Sequence, residues 1–181
     1  SEDEKVLRDS RKVLREIEEV VKEVLKRSKK LVEELEDIAR RVLKESEDSN
    51  KEARDKKDLR EELRRLLEED ERLVERVTRE VREVLDRDRR LNKEAVERVE
   101  RLLEEDEKLN RDALRKLSKD NNDEVERRLR KTVRDTKEVV DRAREKLERT
   151  VRTTEETVKE IEKRLEESLR RSREDVKERE K

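Results

Sequence analysis

A dipeptide recurs along the chain every eighteen residues: Val6-Leu7 returns as Val24-Leu25 and Val42-Leu43, while Ser10 returns as Ser28 and Ser46. Eighteen residues make five turns of α-helix at 3.6 residues per turn. Each recurrence therefore lands on the same face of one helix. A seven-residue repeat winds helices left-handedly and an eleven-residue repeat right-handedly, whereas an eighteen-residue repeat keeps pace with a straight helix. The middle third carries the same period in Leu66-Leu67, Val84-Leu85 and Leu102-Leu103, followed each time by Asp70, Asp88 and Asp106. The last third repeats Leu129, Leu147 and Leu165, then Val133, Val151 and Leu169, then Thr136, Thr154 and Ser172. Three segments sharing one period predict three helices cut to one pattern, each with a continuous apolar stripe.

The remaining composition removes the competitors of a helix. The 181 residues use eleven residue types, and Gly and Pro, which average usage supplies at about 7% and 5%, are both absent. Aromatic strand formers are absent too, while the dominant Leu, Arg, Lys and Glu stand near the top of the intrinsic helix scale. At 61% charged and 28% hydrophobic the chain approaches the composition of disordered segments. Its 55 basic and 56 acidic residues are interspersed, however, as on the outer face of a salt-bridged helix. Glu18–Lys22, Glu36–Arg40, Glu61–Arg65 and Glu160–Arg164 stand at i,i+4, where an exposed pair contributes a few tenths of a kcal/mol.

Without Gly or Pro, the turns must be read from capping chemistry. Ser1-x-x-Glu4, Asp58-x-x-Glu61 and Asn121-x-x-Glu124 or Asp123-x-x-Glu126 have the spacing of capping boxes, and Ser49-x-x-Glu52 competes for the first turn. Turns near Lys56–Asp58 and Lys119–Asn122 give helices over about residues 1–56, 58–119 and 122–181 of a single domain. The expected fold is all-α: a long, straight, antiparallel three-helix bundle, roughly 85 Å long at 1.5 Å per residue. That alignment brings Ser46, Asp70 and Ser172 to one height, Ser28, Asp88 and Thr154 to the next, and Ser10, Asp106 and Thr136 to the third. A turn near Ser49 would displace the set by half a repeat unit and leave bare apolar stripes, so the later turn is preferred.

These nine residues are the regular interruptions of the stripe, and any chemistry should sit there. Ser beside Asp raises the question of a nucleophile, but activation calls for a base such as His, and the sequence has none. One carboxylate and two hydroxyls per layer also fall short of the six or more oxygens a hard cation takes, and bundle di-metal sites add His. No enzyme activity, cofactor or metal is expected. The structural reading is that each Asp accepts hydrogen bonds from the hydroxyls, so that a polar network every five turns fixes helix order and register. Burial should then raise the titration of each layer Asp, with the hydroxyl donors opposing it. A second series places Asn92 and Asn110 near the heights of Thr150 and Thr132, suggesting Asn–Thr bonds between helices two and three. Val74 stands where a third Asn would face Ser168. The alternative is that these residues lie at the core margin and point to water.

The balanced net charge of −1 and the lack of aromatics argue against a nucleic-acid partner. No apolar run approaches the roughly 18 residues of a membrane span. The opening Ser1-Glu2-Asp3-Glu4 is unlike a secretory signal, and the missing initiator Met fits recombinant, cytoplasmic expression. A soluble chain, monomeric rather than homo-oligomeric and with no required partner, is expected. Zero cysteines leave the redox compartment undetermined.

The reduced alphabet, the eighteen-residue period, the capping signatures and the polar core layers together resemble parametrically designed helical bundles with buried hydrogen-bond networks. The resemblance covers the whole chain and carries over no functional residues. It implies an idealised, stable backbone and an artificial scaffold without natural biochemical function. The alternatives are a helical self-assembly or binding module, and a spectrin-like coiled-coil spacer. The latter ordinarily carries aromatics, Gln and His, which this chain lacks.

Overall fold

A computed structural model of the chain describes residues 2–55, 60–117 and 123–180, all of them helical. Helix α1 spans Glu2–Asp55, α2 Arg60–Leu117 and α3 Asp123–Glu180, and no strand occurs among the described residues. The expected turns near Lys56–Asp58 and Lys119–Asn122, and the capping residues Ser1, Asp58 and Asn121, lie outside the described residues. Ser49 is inside α1, which corrects the alternative of a turn there. Nothing between Glu45 and Glu52 stops a helix, and a Ser and a Glu three apart are also neighbours on one helix surface. Acidic residues open α2 (Glu61, Glu62) and α3 (Asp123, Glu124, Glu126), and Arg115 and Lys116 close α2. Both placements complement the helix macrodipole.

The structure divides into two compact units, Ser1–Ser28 with Arg89–Val151 and Lys29–Asp88 with Arg152–Lys181. In the first unit, Ile17, Val99 and Val140 are fully buried among Val13, Val20, Val24, Ala95 and Leu147. A smaller cluster joins Ala113, Leu117 and Leu129 to Val6, Leu7 and Val125. The early part of α1 thus meets late α2 and early α3, whereas Val13–Val24 meet earlier α2 and later α3. Helix α2 therefore runs antiparallel to both neighbours. In the second unit, Leu35 and Val81 are fully buried, and Val84 and Leu165 are nearly so, among Ala39, Val77, Val158 and Ile161. There α2 again runs against α3, since Arg82 pairs with Glu162 and Arg173 with Glu71.

Much of this core is valine. A β-branched side chain has slightly lower helix propensity but essentially one χ1 rotamer in a helix, so it orders at little entropic cost and packs rigidly. Each fully buried Leu, Ile or Val contributes about 1.5–3 kcal/mol relative to exposure. Outside the stripe, Arg164–Glu160 forms the i,i+4 contact read from the sequence, at 3.5 Å. Arg40 instead takes Asp37, three residues back, at 3.4 Å rather than Glu36. The shorter Asp side chain presents its carboxylate within reach there, and both groups are largely in water, where such choices are worth little.

Candidate functional site

The polar side chains in the helix core form distinct local networks. In the second unit, Ser46 Oγ donates to Asp70 Oδ1 at 2.9 Å, and Ser172 Oγ donates to Asp70 Oδ2 at 3.2 Å. Three helices therefore meet on one carboxylate, with one donor to each oxygen. Ser168 adds a member: its Oγ lies 3.0 Å from Ser46 Oγ. Because the single Ser46 proton is directed at the carboxylate, Ser168 supplies the proton of that contact. Ser172 divides its own proton between Asp70 and the Ser168 carbonyl, 3.1 Å away. Asp70 also borders an open groove of about 530 Å³ between α1 and α2, lined by Glu45, Asp48, Leu66, Leu73 and Arg76 among others.

The corresponding network of the first unit is built differently. Ser10, Asp106, Asn110 and Thr136 are all fully buried. Ser10 Oγ donates to Asp106 Oδ1 at 2.5 Å. Thr136 stands at the expected height but turns its hydroxyl back to the Thr132 carbonyl at 2.9 Å. Asn110 instead completes the set: its Nδ2 donates to the Asp106 carbonyl at 2.7 Å and, more distantly, to Ser10 Oγ at 3.5 Å. Asp106 Oδ2 and Asn110 Oδ1 are buried and receive no donor from the protein. Burial raises the Asp106 carboxyl above the ordinary Asp value, the neighbouring Ser10, Thr136 and Asn110 groups oppose that, and Glu107 adds to it as a like charge.

Of the third set, Ser28 is fully buried in the first unit, and Asp88 and Thr154 are fully buried in the second. Asn92 and Asn110 are buried as well, so they do not sit at the core margin facing water. The suggested Asn110–Thr132 bond is corrected: Thr132 Oγ1 returns to the Arg128 carbonyl at 2.8 Å. Val74, at the position where the repeat would place a third Asn, packs in the apolar cluster, and Ser168 turns to Ser46 on α1 instead. The described residues hold no group of three or more His, Cys, Asp or Glu side chains that could bind a metal ion. No helix among them is long and apolar enough to cross a membrane.

No protein-family model matches the chain, and no curated protein matches it in sequence. A solved structure described as a "Computationally designed three helix bundle" is similar to it with a TM-score of 0.63 and 18% identity, over 98% of this chain and 87% of that one. The chain folds as a three-helix bundle. At that identity the likeness lies in the fold, and the polar chemistry of this bundle has to be read from its own residues.

Two members of the bundle's networks, Asn110 and Ser168, stand outside the nine positions picked from the repeat. A signal for both was available. Asn110 lies four residues after Asp106 and Ser168 four before Ser172, the spacing that stacks side chains on one helix face.

Proposed function

We propose that this chain is an artificial structural scaffold: a soluble, monomeric three-helix bundle whose polar layers choose one helix order and register, with no catalytic role. The observation that carries the reading is the Ser46–Asp70–Ser172 layer, in which each helix contributes one residue and each carboxylate oxygen receives one hydroxyl. An aliphatic stripe tolerates sliding by a turn or two, because Val, Leu and Ile pack against one another without direction. A carboxylate moved away from its two hydroxyls faces hydrocarbon, at a cost of several kcal/mol for an uncompensated charge. Specificity is thus concentrated in a few residues, while the apolar remainder supplies stability.

Catalysis finds no support in this arrangement. The hydroxyls of Ser10 and Ser46 give their protons directly to carboxylates, and the sequence holds no His that could act as a base. Multi-angle light scattering across a wide range of protein concentration tests the scaffold reading. A constant mass of 22.2 kDa is expected. A concentration-dependent rise to a multiple of that mass would overturn the monomeric scaffold in favour of a self-assembly module.

A further inference from the structure

We propose that the layer formed by Ser10, Asp106, Asn110 and Thr136 is a proton-binding site: Asp106 keeps its carboxyl proton on Oδ2 under conditions in which the exposed carboxylates of this chain are already ionised. The argument is a count of donors. Ser10 has one hydroxyl proton, and it goes to Asp106 Oδ1. Thr136 has one, and its bond is to the Thr132 carbonyl, with the hydroxyl near enough to the Asp106 carboxyl to oppose the rise in part. The Asn110 amide protons are aimed at the Asp106 carbonyl and at Ser10 Oγ. No protein donor reaches either Asp106 Oδ2 or Asn110 Oδ1, and both are buried. A carboxylate in that position would hold a charged oxygen without a donor inside a fully buried layer. One proton on Oδ2 removes the uncompensated charge and leaves Oδ1 free to accept from Ser10.

The charges around the layer favour the same state. On α2 the neighbouring Glu107 is of like sign and raises the Asp106 carboxyl further. On α1, Asp9 beside Ser10 is half-buried and acidic, and on α3 the residues flanking Thr136, Asp135 and Lys137, are exposed. Among the described residues no Lys or Arg forms an ion pair with Asp106, so no counter-charge rewards ionisation. The Asp70 layer differs, because each of its oxygens already has a hydroxyl donor.

The test is a carbon-13 titration of the Asp and Glu side-chain carboxyls in the intact protein, with Asp106 assigned by comparison with Asp106→Asn. The Asp106 carboxyl signal is expected to keep its protonated position after the exposed carboxylates have shifted, and to move only at higher pH. Amide exchange around Ser10, Asp106 and Thr136 should accelerate as it moves. Asp106→Asn, which carries an N–H where the acid carries its O–H, should fold and show protection in that layer independent of pH. An Asp106 signal that titrates together with the exposed carboxylates would overturn the proposal and point to a water supplying the missing donors. Layer protection that varies with pH equally in parent and Asp106→Asn would overturn it as well.

Discussion

Replacing Ser46 by Ala should cost more stability than removing its whole layer. The hydroxyl of Ser46 donates to Asp70 Oδ1 at 2.9 Å, and a hydrogen bond to a charged group is worth roughly 1.5–3 kcal/mol net. Asp70 is only 7% exposed, so water can replace the lost donor only from the side of the α1–α2 groove. A loss of about 2 kcal/mol is expected on that basis. Ser172→Ala should cost less, about 1 kcal/mol, because Ser172 divides its proton between Asp70 at 3.2 Å and the Ser168 carbonyl at 3.1 Å. The triple change Ser46→Ala, Asp70→Leu, Ser172→Ala removes donors and acceptor together. It replaces a desolvated carboxylate with aliphatic surface worth about 25 cal/mol per Å² buried, and should leave the protein at least as stable as the parent. Guanidinium denaturation followed by circular dichroism suits a chain without aromatic chromophores, and a midpoint that moves at constant slope identifies a change in stability. A Ser46→Ala variant as stable as the parent, or a triple variant less stable than Ser46→Ala, would refute the account of this layer.

Three further outcomes follow from the same structure. Leu165→Ala, at a site 1% exposed between α1 and α2, should lose about 2–5 kcal/mol in the same denaturation assay. Exchanging Glu160 and Arg164, an exposed pair at 3.5 Å, for alanines should change stability by less than about 1 kcal/mol, with little dependence on salt. Asp106 contributes a pH dependence of definite sign. Its folded titration point is raised by burial, so the folded chain holds the proton more tightly than the unfolded chain. That contribution is fully present below the ordinary Asp value and is lost as pH rises through the raised folded value. Asp106→Asn should therefore gain stability relative to the parent on going from acid to neutral pH, measured as the difference between two denaturation series.

The architecture was legible because its determinants are periodic. Val6-Leu7, Val24-Leu25 and Val42-Leu43 recur in step with a whole number of helical turns, and no Gly or Pro interrupts them, so helix was the one structure with which every level of the sequence agreed. Positions in the core were legible for the same reason, since an Asp or Ser on an apolar stripe is carried inside with its neighbours. Which hydroxyl serves which oxygen was not. A helical Thr can rotate its hydroxyl onto the carbonyl four residues back, and Thr132, Thr136, Thr150 and Thr157 all do so. A rotamer choice of that kind leaves no periodic trace. It turns the Thr136 hydroxyl onto its own helix, and Asn110 joins Ser10 and Asp106 in the layer. Ser172 shows the intermediate case, making the backward bond and the one across to Asp70 together.

The central claim is that the polar layers select one helix register, and spin-label distances measure register directly. The chain has no cysteine, so Glu47→Cys on α1 and Glu68→Cys on α2, both exposed beside the Ser46–Asp70 pair, can be labelled cleanly. The parent should give one narrow distance. A variant with Asp70, Asp88 and Asp106 replaced by Leu, and their Ser and Thr partners by Ala and Val, should add a second population displaced along the helix by roughly 10 Å, the length of a heptad at 1.5 Å per residue. One narrow, unshifted distance in the layer-free variant would contradict the claim and assign register to the aliphatic packing alone.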